Sequence, residues 1–132
     1  MGQRTARPPT TEEPDRRPLD VQVMRDGARR LLTEDAEPPA ADELSTLTAR
    51  LRGHIVVAVP DVETLAWALP EDDVPRACAL ACCGEARMRL RLGDGGTLAV
   101  RVASARRLAR SVLALCDHYE NLGGGESRGN AG

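Results

Sequence analysis

CALACCGEARMRLRL, residues 78–92, decides how this chain is read. It places three cysteines within six positions and then alternates arginine with apolar side chains. Residues 77–84 are apolar or small on every side, the pattern of a helix buried among neighbours. Yet Met88, Leu90 and Leu92 alternate with Arg87, Arg89 and Arg91, and the glycine-rich GDGG at 93–96 leads into a second alternating run. Taken alone, that is a β-hairpin signal. The downstream arm argues against it. Leu98, Val102, Ala105, Ala109, Val112, Cys116 and Tyr119 recur at steps of four and three, the period of a long helix. A hairpin would claim the first of those residues for a strand and would end the upstream helix at Gly84. The reading adopted is a helical hairpin that turns at 93–96.

The same period extends upstream. Val21, Met24, Ala28, Leu31 and Leu32 mark a first helix, with Asp20 as its N-cap and Gly27 as a weak point, ending before Pro38 and Pro39. Leu44, Leu47, Leu51, Ile55, Ala58, Val62, Leu65 and Leu69 keep one face of a second helix, even through Pro60. Because Pro60 has no N–H for the carbonyl of Val56, this helix is expected to kink there or to restart with Asp61 as a cap. Glu71, Asp72 and Asp73 offer N-caps for the third helix, and Pro75 fits its first turn. Short connections between four helices predict an all-α fold, a small antiparallel bundle. The alternatives are a three-helix core with a loosely attached first helix, or a homodimer that completes the bundle in trans. The domain is placed at 19–122. Residues 1–18, rich in Pro, Thr and charge, are expected to form a disordered arm, and the Gly-rich 123–132 a flexible tail in which Gly123 stops the last helix.

With 132 residues there is room for one core, built from Ala, Leu and Val, because Phe is absent and Trp67 and Tyr119 are the only aromatic side chains. Every basic side chain is Arg and none is Lys, a bias typical of high-GC bacterial genomes. A formal net charge of -2 argues against a general binder of nucleic acid or anionic membrane. The charge is unevenly spread, however. Residues 54–74 hold five acids and no Arg, whereas 75–110 hold eight Arg against Glu85 and Asp94. Two neighbouring helices attracting each other across exposed edges account for this, as would an Arg-rich face for an acidic partner or a phosphate backbone. No apolar run long enough to span a membrane and no secretory h-region occurs, so the expected location is the cytoplasm, with no membrane partner and with the four cysteines as free thiols.

Cys78 and Cys82 are one helical turn apart and could share a metal, with Cys116 and His54 completing a Cys3His set suited to tetrahedral zinc. No Cys-x-x-Cys is present, and a buried cysteine packs as a small hydrophobe, so core packing is the plainer account of these thiols. Cys83 points about 100° away from Cys82. His118 and Cys116 fall on opposite sides of one helix and share no face. Glu71, Asp72 and Asp73 are explained by capping and the helix dipole, and GDGG lacks the Lys-Ser/Thr of a phosphate-binding loop. Arg101, Arg106, Arg107 and Arg110 could track phosphates or meet a protein partner, although aromatic surface for base stacking is almost absent. No residue is singled out as catalytic and no cofactor is implied.

DELSTLTARLRGHI (42–55), LPEDDVPRACALACCGEARMRL (69–90) and ARRLARSVLALCDHYENL (105–122) resemble a family of small actinobacterial proteins labelled natural product biosynthesis proteins and defined by a domain of unknown function. With PDVETLAWALP between them, the resemblance covers roughly residues 20–122. It implies a helical domain associated with specialised metabolism, and it carries no catalytic or binding residue onto this chain. Cys83 and the short GDGG turn depart from the family pattern. Three functions are therefore expected to compete. The first is a non-enzymatic accessory or regulatory protein that presents helix faces, and its Arg-rich edge, to a protein partner. The second is a metal- or thiol-dependent protein using Cys78, Cys82 and Cys116. The third is a nucleic-acid-associated regulator using 75–110.

Overall fold

Four helices follow one another along the chain, and three of them begin at a side chain that replaces a backbone partner the helix terminus lacks. The computed structural model describes residues 18–33 and 37–124. The helices are α1 (Val21–Leu32), α2 (Ala41–Trp67), α3 (Val74–Arg91) and α4 (Leu98–Asn121), with no strand among the described residues. Residues 86–102 thus form a helical hairpin, and α3 runs through Gly84 without interruption. Three N-caps are side chains: Asp20 accepts from the Val23 N–H, Asp73 from the Arg76 N–H and Thr97 from the Val100 N–H. Such caps contribute roughly 1 kcal/mol each. Gly95 turns the α3–α4 connection at φ +100°, where a Cβ would also strike the Val100 side chain.

At the far end, Gly123 adopts φ +95°, its N–H donates to the Glu120 carbonyl, and the Gly124 N–H donates to the Tyr119 carbonyl at 2.7 Å. This is a Schellman stop, which needs the left-handed backbone that glycine adopts without a Cβ penalty. Gly124 is buried against the Tyr119 ring. The first two residues assigned to a flexible tail therefore belong to the helix terminus. The expectations for 1–17 and 125–132 fall outside the described residues.

Pro60 does not end α2, and the helix does not restart at Asp61. The helix is continuous from Ala41 to Trp67, and Asp61 caps nothing. The reason lies in its position. Val56, Val57 and Pro60 are all exposed, so the carbonyl left without a donor lies on the solvent side, where water can serve it. The Thr64 hydroxyl donates to the Pro60 carbonyl at 2.9 Å one turn later.

α4 packs against the other three helices, most extensively against α2, while α1 and α3 hardly meet. Contacts run in opposite chain order along two pairs. Leu19, Arg25 and Leu31 meet Tyr119, Asp117 and Arg106, and Arg52, Val59 and Leu69 meet Leu90, Cys83 and Arg76. The core comprises Leu44, Leu51, Ile55 and Val62 of α2 with Val112 and Leu115 of α4, joined by Met24, Ala28 and Leu31 of α1. Each fully buried Leu, Ile or Val adds roughly 1.5–3 kcal/mol. The fully buried residues of α3 are all small, Ala79, Cys83 and Ala86, so its backbone can lie close to α2 and α4, while Leu80 and Leu90 pack half-buried at the core's edge. The expectation that 77–84 is buried all round is corrected here: Ala77, Cys78, Ala81 and Gly84 face solvent. No helix of the described residues is long and apolar enough to cross a membrane.

Candidate functional site

The four cysteines part company once the helices pack. Cys78 is exposed, Cys82 half-buried, and Cys83 and Cys116 are buried, all as free thiols. Cys83 faces α2 and donates its thiol hydrogen to the Val59 carbonyl at 3.8 Å. Burial pushes its pKa up to about 12, with the Glu63 charge adding to the rise. Burial likewise raises Cys82 to about 11, assisted by Glu85, and Cys116 to about 11, where Arg25 opposes the rise. Burial thus disfavours the thiolate, the nucleophilic form, at all three. His54 is half-buried on α2, its pKa lowered first by burial and then by the Arg50 charge. Among the described residues no group of three or more His, Cys, Asp or Glu side chains is placed to hold a metal ion. Cys78, Cys82, Cys116 and His54 therefore lie on three helices at different depths.

The arginines are more informative. α1 and α3 each carry at their C-terminal end an arginine from another part of the bundle, and a third arginine binds the loop that follows α2. Arg106 of α4 donates to the Leu31 carbonyl of α1 at 3.1 Å. Arg76 of α3 donates to the Leu69 carbonyl just beyond α2 at 3.0 Å and lies 4.6 Å from the centre of the Trp67 ring. Arg52 of α2 reaches the Leu90 and Leu92 carbonyls at the end of α3, both at 3.0 Å, and the Asp94 carboxylate at 2.7 Å. A guanidinium suits this role because its fork of donors and fixed positive charge match unpaired carbonyls at the negative end of a helix dipole. Further arginines brace helix to helix. Arg25 pairs with Asp117 and Glu120, Arg30 grips Glu43 with two nitrogens, and Arg87 does the same to Glu63.

Of the four arginines singled out as a partner surface, Arg101 donates to Ser45 at 3.1 Å, and Arg106 is committed to capping α1. Arg107 and Arg110 remain exposed, with no side-chain ion pair among the described residues. An open cavity of about 220 Å³ lies between Leu31, Leu32, Thr33, Arg106 and Arg110. The cleft lined by Arg52, Arg89 and Arg107 holds only about 20 Å³, room for little more than a water molecule.

Sequence reasoning missed Arg52 and Arg76 as capping residues. A signal was present only at α2, whose last turn holds no basic residue; α3 ends in Arg89 and Arg91 with Gly93 close behind, so nothing there called for a distant donor. It also missed the solvent-facing side of α3, where Val74, Met88 and Leu92 stand with Ala77, Cys78 and Ala81 between them. On α2 a second outward stripe, Gly53, Val56, Val57, Pro60, Thr64 and Trp67, carries no charged side chain.

Neither the curated proteins nor the solved structures compared with this chain contain a match. A family model does match, over residues 22–124, which spans all four helices from the second residue of α1 to the Schellman stop. The chain therefore belongs to the family of unknown function DUF6415.

Proposed function

We propose that this chain is a cytoplasmic, non-enzymatic accessory or regulatory protein, associated with natural product biosynthesis, that works through protein–protein contacts of its helix faces. The observation that carries this reading is the outward stripe of α2. Val56, Val57 and Trp67 are 60%, 57% and 59% exposed, in line along a rigid helix and with no charge among them. Exposed apolar side chains gathered on one element mark contact surfaces more often than single ones do. The polar chemistry supports the same reading, because most of the described arginines are engaged in holding helices together. The association with actinobacterial natural product pathways rests on the resemblance of 42–55, 69–90 and 105–122, together with the all-arginine composition.

The test is deletion of the gene in its host, followed by complementation with metabolite profiling as the readout. Wild type and the Cys78→Ser, Cys82→Ser double variant are expected to restore the profile. A Val57→Glu, Trp67→Glu variant is expected to fold, by circular dichroism, and to fail. Full complementation by the charged variant, or failure of a folded cysteine variant, overturns the reading.

A further inference from the structure

We propose that the outward face of α3 is the interface of a symmetric homodimer, in which α3 packs antiparallel against α3 of a second copy about a twofold axis at Ala81. The inference rests on the reading of helix faces as contact surfaces. It concerns a different face from the α2 stripe.

At 100° per residue, Val74, Ala77, Cys78, Ala81, Met88 and Leu92 fall within one arc of α3, opposite the buried Ala79, Cys83 and Ala86. The bulky members are far from covered: Val74 is 69% exposed, Met88 58% and Leu92 60%. Between the bulky ends lies a shallow stretch of small residues. A twofold axis relates each position before Ala81 to the position equally far after it. Val74, seven before, then meets Met88, seven after, while Cys78 meets Gly84 and Ala81 meets its own copy. Large side chains pack on large ones at both ends, and the two backbones can approach closely where the side chains are small.

Charge identifies the occupant as this chain itself. Glu71 and Asp72, both exposed, precede α3, and Arg91, exposed, ends it. None of the three has an ion pair among the described residues. Glu71 is ten residues before Ala81 and Arg91 ten after, so the antiparallel arrangement sets the acidic end of each copy against the basic end of the other, twice. A parallel arrangement would set like against like. The one carboxylate within the arc, Glu85, is already paired with Arg89 at 2.9 Å on the same helix. Antiparallel pairing also opposes the two helix dipoles. One helix pair is a small interface, at the lower limit of stable association, so the dimer is reversible and concentration-dependent.

Sedimentation velocity of the full chain under reducing conditions, over about a hundredfold range of concentration that reaches well above micromolar, is the direct test. A monomer–dimer equilibrium is expected. Ala81→Arg sets two guanidinium groups against each other at the axis and is expected to weaken the dimer by about a hundredfold or more. Its circular dichroism should be unchanged, because Ala81 faces solvent. Glu71→Arg alone and Arg91→Glu alone are each expected to weaken association, and the two together in one chain to restore it. A chain monomeric at every concentration, a dimer indifferent to Ala81→Arg, or a double variant no better than either single one would overturn the proposal. So would a monomer that uses this face for a foreign protein, seen as capture lost on Ala81→Arg. Self-association is read on purified protein and the metabolite profile in the host, so either result can fail while the other stands.

Discussion

The two faces of α3 are built from nearly the same residues and have opposite fates. Ala79, Cys83 and Ala86 are completely buried, while Ala77, Cys78 and Ala81 on the other side face water. Residue type does not separate them. What separates them is the contact of one side with the large aliphatic side chains of α2 and α4, which leaves the other side uncovered by any helix among the described residues. A helix lined on both sides by small apolar residues is thus a core element and a surface element at once.

Thiol chemistry gives the largest expected contrast between the faces. Under native conditions, at a concentration low enough to keep the chain monomeric, iodoacetamide should label Cys78 freely, whereas Cys83 and Cys116 should react only as the fold opens, slower by more than about a hundredfold. Peptide mass spectrometry after a short labelling pulse reads this, and equal labelling of Cys78 and Cys83 would break the comparison. Next in size is the loss of core volume on α2. Ile55→Ala is expected to cost ~2–5 kcal/mol, against ~0.5 kcal/mol or less for its exposed neighbour in Val56→Ala, by urea unfolding. A similar pair on α3 tests overpacking. Ala79→Leu should destabilise by ~1–3 kcal/mol, whereas Ala81→Leu should be near neutral at a concentration low enough to keep the chain monomeric.

Smaller effects sharpen the contrast between structural and surface arginines. Arg106→Ala, which frees the Leu31 carbonyl near the end of α1, should cost about 1 kcal/mol, and Arg107→Ala close to nothing. The smallest effect concerns Glu63, at the boundary between α2 and the inner face of α3. Its hydrogen bonds to Arg87 hold the carboxyl below its ordinary value of 4.5, against the opposing pull of burial. A carboxylate with a lowered folded pKa stabilises fully above its unfolded pKa and loses that contribution as pH falls through the folded value. The stability gap between wild type and Glu63→Gln should therefore be present at neutral pH, less than about 1 kcal/mol because the pair is partly exposed, and should close below pH 4.5. A gap that widens on acidification would contradict the assignment.

Much of the fold was legible because helical periodicity and cap chemistry are local. Met24, Ala28 and Leu31 on α1 and Val102 to Tyr119 on α4 are buried as their spacing indicated, and Asp20, Asp73 and Gly123 sit at the termini they were expected to close. The apolar face of α2 ran legibly through Pro60, but whether the helix restarts there was not legible. A proline removes the same donor everywhere, and whether the helix tolerates that depends on whether the orphaned carbonyl faces water or core. The capping by Arg52, Arg76 and Arg106 was equally hidden, because each bridges 7 to 75 positions. A surplus of arginine in 75–110 reads the same whether the side chains cap helices or await a partner.

The order and limits of the four helices, the inward stripes of α1, α2 and α4, and the glycine turns follow from the residues themselves, since each depends on neighbours within one or two helical turns. Tertiary structure alone decided which side of α3 is core, which cysteines are shielded and which arginines are committed to helix termini. These depend on what lies across the bundle, and small side chains and long guanidinium arms satisfy either outcome until the neighbouring helices are in place.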